Sequence, residues 1–296
     1  MAFDNAYEAI TEQNDARWAF GTGFDDPLAA TSVTDTAIPA GIAPDDLVTY
    51  CLMLADDALV LSHRLQEWCT HAPDLEEEVA LANIALDLLG QARLLYSRAG
   101  QVDGYGRGED ELAFFRAEHE FGNVRLVEPR LGDFARLIVT LLVFATWRLA
   151  LLQRLSGSAD PVLAAIAAKG VKEVTYHRDY AASWAVRLGD GTDYSHARAA
   201  EAAEAVWPLV DELFSTHPVE QRAAAAGVGV DPATVAEECA SVLRTVLTTA
   251  TLSVPEVAPL SGVAGRAGRH GVHTETMGYL LAELQSVARA HPEATW

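Results

Sequence analysis

The stretch Phe134–Leu155, FARLIVTLLVFATWRLALLQRL, is apolar on nearly every side of the helix it predicts. A helix apolar all round has to be buried all round. A four-helix bundle encloses most of such a helix and leaves one face for additional helices or another subunit. A membrane span is the weaker reading: the most apolar part, Leu137–Leu152, falls short of the roughly 20 residues a bilayer requires, and Arg148 interrupts it.

Three more long helices are predicted around it. Leu47, Leu54, Ala58, Leu61 and Leu65 lie at helical spacing within Asp45–Cys69, with Asp56 and Asp57 in the middle. A second helix spans Leu75–Ala99. Asp74 caps it, and Glu77 three residues on makes a variant capping box. Glu76, Glu77 and Glu78 oppose the positive helix end. Gly100 is its predicted stop, with Arg98 in the last turn. Asn83, Asp87 and Gln91 form a polar stripe at spacing four. The fourth helix starts at Asp160-Pro161, a cap followed by proline at the first helical position, and runs to Leu188.

Between the two hairpins lies Gln101–Leu131, with a short helix at Glu109–Phe121. One long crossover between helical hairpins is the ferritin-like topology. Shorter helices are predicted at Tyr194–Phe214, Asp231–Leu252 and Thr274–Ala290, with Val254–Val272 as loop. The expected fold is all-α: a ferritin-like four-helix bundle with additional helices, over residues 45–296. Residues 1–44 read as a partly extended N-terminal arm of a kind often disordered; docking on this chain or a partner through Trp18, Phe20 and Phe24 is the alternative. Trp296 would need a pocket to be ordered.

The formal net charge is −21 and only two lysines occur, which argues against nucleic acid or an anionic membrane as partner. Three cysteines, Cys51, Cys69 and Cys239, lack Cys-x-x-Cys spacing and read as buried thiols of a reducing compartment. The first residues have no basic region followed by an apolar one, so a cytoplasmic location is expected. No phosphate loop, nucleophile elbow or His-Glu-x-x-His zinc motif is present.

Lys172–Trp184, KEVTYHRDYAASW, puts Glu173 and His177 on one face of the fourth helix. A carboxylate-bridged di-iron site takes a Glu from each of two helices and Glu-x-x-His from each of the other two. Here the spacing is four, and Val174 stands three before His177. The first helix offers Asp56 or Asp57, the second Asp87 without a histidine, and the third no carboxylate at all. Spacing four still suffices to chelate one ion. The expectation is a lost metal site, with no catalytic or metal-ligating residue in this chain. Asp56, Asn83, Asp87, Glu173 and His177 are expected to form a buried hydrogen-bonded network in its place, with Lys172 or Arg93 nearby. Gly262–His273, GVAGRAGRHGVH, is the one basic, glycine-rich stretch. Its Arg266, Arg269, His270 and His273 are candidate contacts for the phosphates of CoA or a partner carboxylate, or belong to a solvated loop.

Four stretches carry a specific resemblance. They are LSHRLQEWCTHAPDLEEEVALANIALDLLGQAR at Leu61–Arg93, AAIAAKGVKEVTYH at Ala164–His177, RLGDGTD at Arg187–Asp193 and HTETMGYLLAELQ at His273–Gln285. From about Tyr50 to Trp296 the chain resembles the structural C subunits of the bacterial phenylacetyl-CoA epoxidases, the multicomponent monooxygenases of phenylacetate catabolism. The resemblance implies a ferritin-like, non-catalytic member of a hetero-oligomer. It implies pairing with an A subunit that bears the di-iron centre and the acyl-CoA site. It also implies other components, among them a reductase drawing electrons from NADPH. The apolar third helix would then supply a large, core-like interface. Two other readings stay open: an active ferritin-like oxidase with an unusual ligand set, and a helical acyl-CoA-binding adaptor.

Overall fold

The computed structural model describes residues 37–294, all within the unit Thr36–Trp296. The expectations for Trp18, Phe20, Phe24 and Trp296 fall outside the described residues. Among those residues there are nine α-helices and no strand. They are α1 (Pro44–Gln66), α2 (Leu75–Val102), α3 (Glu109–Phe114), α4 (Phe134–Leu155), α5 (Pro161–Gly189), α6 (Asp193–Val206), α7 (Pro218–Ala225), α8 (Ala236–Thr249) and α9 (Glu275–Ala290). The bundle consists of the hairpins α1–α2 and α4–α5, with α2 packed on α5. The long crossover between α2 and α4 gives the ferritin-like order that the spacing predicts.

Local chemistry explains the helix ends. Asp74 accepts from the Glu77 amide at 3.0 Å, Asp133 from the Arg136 amide at 2.8 Å, and Asp160 from the Val162 and Leu163 amides at 2.9 and 3.0 Å. Asp160 has a second task. Its other oxygen accepts from Arg98 Nη2 at 2.6 Å, both side chains fully buried, and this pins the end of α2 to the start of α5. Arg98 is therefore an inter-helix partner rather than a charge at a helix end. Glu77 does not close a capping box either. Its carboxylate accepts from Trp184 Nε1 at 2.8 Å and from the Tyr180 hydroxyl, joining α2 to α5.

Gly100 does not stop α2, which continues to Val102. A Cβ at residue 100 would stand 2.0 Å from the Arg107 carbonyl oxygen, so the glycine admits the following loop against the helix. The predicted helix 194–214 ends at Val206, where Pro208 turns the chain into two short 3-10 turns. The segment 231–252 likewise opens with a 3-10 turn before α8. Helix α7 had no counterpart among the predicted elements.

Helix α4 is enclosed by the chain itself. Of its most apolar 18-residue window, 94% is buried, against α5, α6, α8 and the turn Arg125–Val127. The face left over by the four-helix bundle is covered by additional helices of the chain, so the apolar window of α4 is not the open, core-like face expected of it. Helix α2 is the other long apolar helix, and only 44% of its window is buried.

Candidate functional site

Each of the four bundle helices sends one polar side chain to a layer across the interior: Asp57 from α1, Gln91 from α2, Arg148 from α4 and Glu173 from α5. Arg148, fully buried, is its centre. Its Nη1 donates to the Leu54 carbonyl at 3.1 Å and lies 4.0 Å from Asp57 Oδ2. Its Nε and Nη2 point to Gln91 Oε1 at 3.4 and 3.3 Å. Gln91 Nε2 in turn donates to Glu173 Oε2 at 3.0 Å, and Lys169 Nζ stands 3.5 Å from Glu173 Oε1. Gly170 makes this approach possible, because a Cβ there would press on Leu152 at 2.9 Å and on the Gln91 amide at 3.4 Å.

Burial pushes the Asp57 carboxyl up, against the pull of Arg269 and Arg148. Burial also brings Arg148 down to about 10, which leaves it a cation at neutral pH. Glu173 is raised by burial, with Lys169 and Gln91 opposing. The layer is thus a row of alternating charges and one amide, each satisfied by its neighbours.

Asp56 faces another way. Its carboxylate receives the Tyr96 hydroxyl at 2.6 Å, the Gly122 amide at 2.8 Å and the Arg116 guanidinium. Arg116 lies over the Phe121 ring, 4.1 Å from its centroid. Asp57 takes the Val124 amide at 2.8 Å and both terminal nitrogens of Arg269 at 2.9 Å. These two neighbouring acids of α1 tie the crossover and the glycine-rich loop to the bundle. Glu128, also fully buried, completes the junction. It accepts from His273 Nδ1 and the Thr274 amide at 2.7 Å and from Asn123 Nδ2 at 3.0 Å.

The five-residue network expected from the sequence divides accordingly. Glu173 belongs to the Arg148 layer. His177 and Asp87 form a separate pair at 2.9 Å, the histidine buried and the aspartate half-exposed. Asp56 joins neither, being occupied by Arg116. Asn83 is exposed and belongs to no buried network, because it lies on the outward side of α2. The nearby cation is Lys169, while Lys172 is exposed and Arg93 pairs with Glu109 outside the bundle. The loop candidates need the same correction. Arg269 is buried on Asp57 and also donates to the Gly122 carbonyl at 2.7 Å; the His273 side chain is buried against Glu128. Neither is available to an external phosphate. Arg266 is exposed, and His270, half-buried, lines a cleft of about 270 Å³.

Asp57, Gln91, Arg148, Arg116 and Glu128 were not singled out together from the sequence. The signal for one of them was there: an arginine within an otherwise apolar helix has to find buried partners.

The sequence matches the profile of the family described as phenylacetic acid catabolic protein over residues 31–296. The chain belongs to that family. Within it, a relative from Escherichia coli strain K12, the C subunit of 1,2-phenylacetyl-CoA epoxidase, is 43% identical over 253 residues, covering 85% of this chain and all of the relative. The family's helical architecture agrees with the nine helices described above, and the relative's name places it in an enzyme of more than one subunit.

Proposed function

We propose that this chain is a non-catalytic structural subunit of a multicomponent di-iron monooxygenase that epoxidises the ring of phenylacetyl-CoA. It would work in the cytoplasm beside an iron-bearing catalytic A subunit. The Arg148 layer carries the reading. The residues present do not fit a dinuclear iron centre, which needs four carboxylates and two histidines around the metals. Here a guanidinium holds the middle of the bundle, an amide replaces one carboxylate position, and Asp56 and Asp57 are committed to Arg116 and Arg269. Placing two divalent ions beside a fixed, buried cation adds like-charge repulsion where the dielectric screens little. No oxygen chemistry is assigned to this chain.

The same substitutions suit a scaffold. A satisfied polar layer fixes the register of four helices without any cofactor. The partner surface is assigned to the outward face of α2. Leu75, Val79 and Leu86 lie along it at 69, 52 and 43% exposure, and Tyr176 of α5 stands exposed at 54%. Scattered apolar residues on a surface need no explanation, but a stripe at helical spacing on a half-buried helix suits a partner. Replacing Val79 and Leu86 together by glutamate is expected to leave the fold intact. It should abolish co-purification with the catalytic partner and lower epoxidase activity in parallel. Full activity of that partner folded alone would sink the scaffold reading.

A further inference from the structure

Away from the polar layer, His63 and Glu67 lie one helical turn apart at the C-terminal end of α1, and Glu283 approaches them from α9. One ligand atom from each of the three lies within 4.8 Å of the others. His63 Nε2 is itself buried and has no hydrogen-bond partner. It stands 4.0 Å from Glu67 Oε1, too far for a hydrogen bond. A buried nitrogen left without a partner is costly. Glu67 already pairs with Arg64 at 2.7 Å and Glu283 lies 3.6 Å from Arg130, but the imidazole nitrogen has no partner, and an ion held between it and the two carboxylates would supply one.

We propose that His63, Glu67 and Glu283 form a site for a divalent transition metal of the zinc class, tying the end of α1 to α9. Spacing of four along a helix is the chelating spacing, and the third ligand comes from a second element. Donor atoms already within 4.8 Å reach an ion at about 2.0–2.2 Å by side-chain rotation. An imidazole with two carboxylates favours zinc, iron or nickel over magnesium and calcium, which prefer oxygen-only sets. Arg64 Nη1 holds Glu67 Oε1 at 2.7 Å, and Arg64 is itself fixed by two bonds to the Glu128 carbonyl at 2.8 and 2.6 Å. Outer partners of this kind orient ligands. This buried cation opposes an ion nearby, as Arg148 does in the bundle, but it serves one of two carboxylates, and the site opens to solvent at Glu283, where charge is screened. Glu283, 56% exposed and 3.6 Å from the exposed Arg130, leaves the ion a way in and leaves room for a water to complete the coordination.

The test is calorimetric titration of zinc chloride into the full, chelator-stripped chain. One zinc per chain is expected. Glu283→Gln and His63→Asn should each weaken it by about tenfold or more, the scale on which metal sites respond to losing a supporting group. Excess magnesium should leave binding unchanged. Because Glu283 is exposed, its glutamine variant keeps the fold and decides the matter even if His63→Asn does not fold. Unaltered affinity in Glu283→Gln, displacement by magnesium, or no zinc uptake would each overturn the proposal. None of these results bears on the scaffold reading, which concerns other residues.

Discussion

The His273 imidazole sits between two acceptors, Glu128 Oε1 at 2.7 Å and the Phe121 carbonyl at 3.0 Å. Satisfying both requires both ring nitrogens to carry protons, which is the cation. Burial alone would lower its pKa, but the Glu128 carboxylate, the Phe121 carbonyl and the charge of Glu118 together outweigh burial, and the net shift is upward from 6.5. A histidine with a raised folded pKa adds stability that is fully present below the unfolded value and is lost as pH rises through the folded value. The difference in Tm between the natural chain and His273→Gln should therefore be largest at about pH 6 and shrink by several degrees toward about pH 9. A difference that grows with pH would contradict the ion pair. This residue also shows where single residues were legible in the sequence and where they were not. The glycine-rich basic stretch stood out, but whether its cations face water or the interior depends on Asp57 and Glu128, far away in the chain. Likewise Glu173, His177 and Asp87 were recognisable by type as one network, and His177 does meet Asp87, while the pairing of Glu173 with Gln91 instead was fixed only by the packing of α2 on α5.

At the scale of elements, periodicity and caps were enough to place the long helices. Asp74 and Asp160 are local signals, and each cap bond forms within three residues. Signals that mean different things in different surroundings misled. Gly100 has the chemistry of a helix stop, yet it lies inside α2 and serves a tertiary contact. The two meanings predict opposite signs for Gly100→Ala. Helix propensity alone gives a gain of about 1 kcal/mol. The clash of a Cβ 2.0 Å from the Arg107 carbonyl gives a net loss on the order of 1–3 kcal/mol, read as a lower Tm. Stabilisation by this substitution would mean that the loop does not rest on the helix. The apolar wrap of α4 was equally legible, but its cause was not: α6 and α8 supply the cover, and nothing local to α4 names them.

At the scale of the whole molecule, the sequence implied the bundle and carried the expectation that its metal site is lost. It did not reveal the polar layer inside the bundle. Arg148 was visible only as an interruption in an apolar run. Its partners come from α1 and α2, 94 and 57 positions away in the chain. Buried guanidinium, amide and carboxylates together hold four helices in register, a task that a metal cluster performs in the di-iron members of this fold class. The most direct check on the central claim is the iron content of the Glu283→Gln chain after ferrous loading and removal of loose metal. That variant keeps the site between α1 and α9 from contributing. Iron well below one ion per chain is predicted. About two ions per chain, lost on replacing Glu173, would contradict the scaffold account and return oxygen chemistry to this protein.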